Sequence, residues 1–173
     1  MASGEARRLR ELRRRCEDRL QDVELPTPFD VRRFAEMVAA RRDRAILLKG
    51  IHTEGETLGA WVPLARGDVI VFEERTSALH QQHIILHELS HLLCGHHADA
   101  RPTDLLPDLR PEVVEAVLHR HRYSTEAELE AELMASLIRE RAAHNDALLP
   151  RRGMDDGGLA GRLEAFRKGE PSA

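Results

Sequence analysis

One apolar stretch of this chain carries polar groups that a protein interior accepts only if something satisfies them. Residues 84–93 read Ile-Ile-Leu-His-Glu-Leu-Ser-His-Leu-Leu. A run of this hydrophobicity belongs in a core, yet it takes His87, Glu88 and His91 with it. Burying such groups is costly unless a metal ion or hydrogen bonds compensate. On a helix, positions i and i+4 share a face, so His87 and His91 can grip one ion together. Glu88 follows the first ligand and stands beside the open coordination position. There it can take a proton from a water. This H-E-x-x-H pattern predicts a zinc hydrolase, most simply a peptidase, with Glu88 as catalytic base.

The flanks fit a helix over residues 77–94. Ser77 is a good cap for its start, and Gly95 suits a left-handed end. Elsewhere, Leu9, Leu12, Cys16, Leu20 and Val23 recur at three- and four-residue spacing, which predicts a charged helix over 5–24. Six arginines crowd its first half, offset by Glu11, Glu17, Asp18 and Asp22; mixed charge of this kind reads as a solvated face. Thr27 as cap and Pro28 in the first turn predict a second helix ending near Arg41 or Arg42. Three strand-like runs follow at 45–52, 58–64 and 68–73. No helix lies between them, so a small, mainly antiparallel sheet is expected. Further helices are expected over 111–121, 125–143 and 159–166. The fold class is α+β, mostly helical, with the H-E-x-x-H helix at its centre. Residues 1–25 read as the charged N-terminal helix, 26–149 as the main domain and 150–173 as a loosely held tail.

Composition narrows the function classes. The chain has 173 residues, enough for one domain with its own core, and only 3% are aromatic, so that core rests on aliphatic side chains. A net charge of -4 gives no general attraction to nucleic acid. Two cysteines make no disulfide framework, and no apolar run is long enough to span a membrane. A cytoplasmic protein is the simplest expectation.

Two histidines leave a catalytic zinc site one protein ligand short. His97 lies six residues past His91, the metzincin spacing, but Cys94 occupies the position where that pattern has a turn glycine. The other route is a glutamate on a later helix, where Glu126, Glu128, Glu130 and Glu132 are candidates. Thr125 as cap with Glu128 three residues on reads as a capping box, which gives Glu128 a structural role. Glu130 lies nearest the apolar face made by Ala127, Ala131, Met134, Leu137 and Ile138, and a glutamate facing a core needs a cation. Glu130 is therefore favoured, with Glu126 second. His83, one turn before His87, is a candidate outer partner for a ligand. Tyr123, His119 and His121 are candidates to stabilise an oxyanion. Residues 68–73 are a candidate sheet edge for an extended substrate.

Residues from about 67 to 138 resemble the ImmA/IrrE family of zinc metallopeptidases. The resemblance rests on IILHELSHLLCGH (84–96) and ELEAELMASLI (128–138). It implies a gluzincin-like, zincin-type fold in a bacterial cytoplasm. It also implies Zn2+ bound by His87, His91 and Glu130, with Glu88 as the base. Members of that family act with helix-turn-helix repressors, which implies regulatory proteolysis of a partner protein. Glu132 stands where the family commonly has Asn or Asp, and Met134 where it has Phe. A rival expectation is a non-catalytic, zinc-containing regulatory or toxin–antitoxin-like module that docks a partner. The base Glu88 argues against it, because a purely structural site needs none and is closed by four protein ligands.

Overall fold

The computed structural model describes residues 2–52, 59–64, 66–96 and 123–150. In chain order these form α1 (Ala2–Leu20), α2 (Val31–Arg41), β1 (Ile46–Ile51), β2 (Gly59–Leu64), β3 (Gly67–Glu73), α3 (Ala78–Cys94) and α4 (Thr125–Ala147). The class is α+β. The helices expected over 111–121 and 159–166, and the tail, lie outside the described residues. Among the described residues, no helix is long and apolar enough to cross a membrane.

The strands fall close to the expected positions, but the sheet is mixed rather than mainly antiparallel. Its order is β1-β3-β2, with β3 parallel to β1 and antiparallel to β2. Strands consecutive in sequence are therefore not neighbours in space, because β3 inserts between β1 and β2. A parallel pair needs a connection of a dozen or more residues. Residues 52–66 supply it, with β2 itself serving as part of the crossover. Being central, β3 is buried on both faces, which explains its unbroken run Val69-Ile70-Val71-Phe72. Trp61, Ile70 and Phe72 join the helices in the main core; Ile51, Ala60, Val62, Val69 and Val71 form a second cluster.

Charged side chains fix the corners of the sheet. Asp68 is buried, and its Oδ2 accepts from Arg42 at 2.6 Å and Arg44 at 3.1 Å. Arg44 also donates to the carbonyls of Leu64 and Gly67, so one guanidinium ties together the ends of β2 and β3. The start of α2 differs from expectation: Asp30, not Thr27, is its cap and accepts from the Arg33 N–H at 2.8 Å. A carboxylate here meets both an orphan N–H and the positive helix end, so Pro28 is left outside the helix.

Helix α3 runs as the sequence predicts, with Ser77 capping it and Gly95 at φ 72° closing it. It packs against β2, β3, α1, α2 and α4. Helix α4 starts at Thr125 as expected and runs four residues longer, to Ala147, but Ser124 rather than Thr125 is its cap; the Ser124 side chain accepts from Ala127 N–H. Helix α1 belongs to the same core, through Cys16 and Leu20. Its charges face α4: Arg8 meets Glu126 at 3.0 Å, and Arg13 meets Glu140 at 3.5 Å. Arg141 of α4 in turn donates to the Leu20 carbonyl at 2.6 Å, satisfying an orphan acceptor at the end of α1.

Gly59 is required where β2 crosses α3. A Cβ there would stand 2.4 Å from Ile84 Cγ2 and 3.2 Å from Glu88 Oε1. Gly59→Ala is expected to cost about 1–3 kcal/mol through overpacking. Urea unfolding of the variant measures this, and an unchanged midpoint would show that β2 has room to move.

Candidate metal centre

Helices α3 and α4 pack side by side and bring two sets of polar side chains together. From α3 come His87, Glu88 and His91; from α4 come Glu128, Glu130 and Glu132. His91 is fully buried and Glu88 nearly so, whereas Glu128 is about half exposed. The site is thus a buried floor with an open rim.

Three atoms converge at its centre. His87 Nε2 is 3.1 Å from His91 Nε2 and 3.2 Å from Glu128 Oε2, and His91 Nε2 is 3.5 Å from the same oxygen. This group can hold a metal ion. It contains Glu128, not the favoured Glu130. The argument that set Glu128 aside required Thr125 to be the cap. With Ser124 in that role, only the Glu128 backbone N–H serves the helix start, and its carboxylate is available to the histidines.

Glu130 lies on a different face of α4, turned toward α1. Its Oε1 accepts from Arg19 at 2.5 Å, its Oε2 lies 3.8 Å from Arg15, and His96 Nε2 approaches Oε2 at 3.2 Å. Burial works to raise the Glu130 pKa, but the His96 hydrogen bond and the Arg19 charge outweigh it and hold the carboxyl below the usual range. Glu126, the second choice, is exposed and paired with Arg8. His97, His119 and His121 lie outside the described residues.

The outer partners of the histidines are equally defined. His91 Nδ1 is 2.9 Å from His96 Nδ1. His96 is largely buried, because the Gly95 turn folds it back against His91. His87 Nδ1 lies 3.5 Å from Glu132 Oε2, which His83 Nε2 also approaches at 4.0 Å. Glu132 thus backs His87 from α4, and His83 sits behind it. Sequence reasoning gave no role to His96 or Arg19 and held Glu132 only among the candidate ligands. One signal was present: Glu128 and Glu132 have the same i, i+4 spacing as His87 and His91, so each pair presents one face.

Glu88 packs against β2 beside Gly59 and Trp61. The Trp61 backbone N–H donates to it, while its Oε2 has no hydrogen-bond partner among the described residues. Burial pushes its pKa up to about 8, opposed by the Trp61 N–H and reinforced by the charge of Glu128. Tyr123 stacks on the His91 ring, 3.6 Å between centroids and 12° from parallel. Burial, then the charges of Glu88 and Glu128, push its phenol pKa up, so it stays protonated. Residues 68–73 are not a sheet edge; β3 is central, and β2, next to Glu88, is an outer strand.

A second group, Cys94, His96 and Glu130, also lies close enough to hold a metal ion. Its donors are already engaged, Glu130 with two arginines and Cys94 with the buried Cys16 thiol. Contact with Cys16 and burial push the Cys94 thiol up, so it remains a neutral core residue. No protein-family model, curated protein or solved structure matches this chain.

The environment of Glu88 makes metal-free stability depend on pH. Between about 4.5 and about 8 the unfolded chain has released this proton and the folded protein retains it. The unfolded state then binds fewer protons, so stability falls as pH rises through that window. The full shift corresponds to roughly 5 kcal/mol at most. Glu88→Gln stays neutral, so with metal chelated it should melt well above the native protein near pH 8.5 and close to it near pH 5. Equal melting temperatures at both values would show that Glu88 is not held in its acid form.

Proposed function

We propose that this chain is a zinc-dependent peptidase of narrow specificity, with the ion held by His87, His91 and Glu128 and with Glu88 as general base. The observation that carries this reading is the triangle of donor atoms. Tetrahedral zinc with nitrogen and oxygen ligands at about 2.0–2.1 Å separates its ligands by roughly 3.3 Å. The three edges here are 3.1, 3.2 and 3.5 Å. Three protein ligands also leave a fourth position open, the mark of a catalytic rather than a structural site.

A bound zinc ion supplies Lewis acidity, polarising the scissile carbonyl and acidifying the attacking water. Glu88, one residue past the first ligand, takes the proton from that water and later passes it to the leaving amine. Tyr123 stacks on the His91 ring and so holds it in place. Strand β2 offers an outer edge beside Glu88, where an extended peptide can add by main-chain hydrogen bonds.

The resemblance to the ImmA/IrrE family gives the substrate class: a partner protein, such as a helix-turn-helix repressor, cleaved in a bacterial cytoplasm. The rival reading, a docking module built on the arginine-rich helix, draws less support. Arg8, Arg13, Arg15 and Arg19 pair with acids of α4.

Metal analysis and cleavage assays test the assignment together. Glu128→Ala should lose most of its zinc, whereas Glu130→Ala, if folded, should retain zinc at reduced affinity. Glu88→Gln should keep zinc and lose cleavage of a co-expressed partner by two or more orders of magnitude. Zinc retained in Glu128→Ala, or cleavage retained in Glu88→Gln, would overturn the assignment.

A further inference from the structure

His91 is a useful ligand only if its Nε2 is unprotonated toward His87 and Glu128, which requires the proton to sit on Nδ1. We infer that His96, backed by Glu130, is a positioning residue that fixes His91 in that tautomer. The inference rests on the metal-site reading above and adds to it how the buried ligand is prepared.

The argument runs inward from the carboxylate. Arg19 and Arg15 hold Glu130 as an anion. Its Oε2 lies 3.2 Å from His96 Nε2. A neutral imidazole placed against a carboxylate at that distance must carry its proton on the facing nitrogen, since a lone pair there would be repelled. His96 Nδ1 is then an acceptor. It lies 2.9 Å from His91 Nδ1, a contact that needs one proton, and with His96 neutral it is His91 that supplies it. His91 Nε2 is consequently left as an acceptor facing the site. The reverse arrangement would set a lone pair of His96 against Glu130 and put a proton where the ion is to bind.

Glu132 acts on His87 from the other side. It approaches His87 Nδ1 at 3.5 Å and favours the proton there. With both rings so oriented, the three inward atoms are all acceptors held within 3.5 Å of one another. Such a cluster calls for a cation. Metal-ligating histidines commonly donate their second nitrogen to a carboxylate or carbonyl. Here a second histidine is interposed, and the anion that ends the chain is anchored by α1. The arginine-rich helix thereby acquires a role at the site without touching the ligands.

The experiment has two arms on the full chain. In metal-stripped protein with 15N-labelled histidine at about pH 8, long-range 1H–15N spectra report each ring's tautomer. His91 should be protonated on Nδ1 and His96 on Nε2; a His91 protonated on Nε2 overturns the inference. In the second arm, zinc affinity is measured by competition with a chromophoric chelator. His96→Ala should bind zinc roughly 10–100-fold more weakly. His96→Asn, whose side-chain oxygen can take the place of Nδ1 as acceptor, should recover most of that loss. Equal affinity in native protein and a folded His96→Ala overturns the inference. Failure of native protein to take up zinc would count against the peptidase reading instead, and the tautomer arm would still decide the role of His96.

Discussion

Helix α3 is enclosed on nearly every side, so its polar groups are carried into the core together with its leucines. Everything else about the site answers to that burial. His91, fully enclosed, is met by Tyr123 on its face and His96 at its back. Among the described residues, Glu88 is met by one backbone N–H of β2 and is driven toward its acid form. His87, nearer the rim, is met by the half-exposed glutamates of α4. Desolvating charged groups without partners costs several kcal/mol each. The helix can be buried only because α4, α1 and β2 all present partners along its length.

This division of labour separates two glutamates that differ by two positions. Glu128 and Glu130 point roughly 200° apart around α4. Glu130 faces inward, and a buried carboxylate does need a cation, but the cation it finds is the guanidinium of Arg19. Glu128 faces the rim, where solvent covers part of the cost of its charge and leaves its oxygen available to the histidines.

Much of this was legible in the sequence where a single helix decides the matter. The span of α3, its Ser77 cap, its Gly95 end and the shared face of His87 and His91 all follow from local rules. The three strand positions do as well. What was not legible depends on how elements lie against each other. Strand order is one case: nothing in 46–73 states that β3 goes between β1 and β2. The identity of the nearest glutamate is another. It turned on whether Ser124 or Thr125 caps α4, a choice between adjacent residues of almost equal aptitude, and on which face of α4 meets α3. His96 needed the left-handed turn at Gly95 before its return toward His91 could be seen.

The order β1-β3-β2 also has a consequence for assembly. The central strand is the last of the three to be synthesised, so a growing chain that ends before residue 67 holds two strands with no partner between them. The sheet therefore cannot grow strand by strand; it closes when β3 arrives and pairs on both sides at once. Only three residues, Glu74 to Thr76, and the Ser77 cap separate that strand from α3. Sheet closure and the docking of the helix that bears His87 and His91 are thus nearly one event.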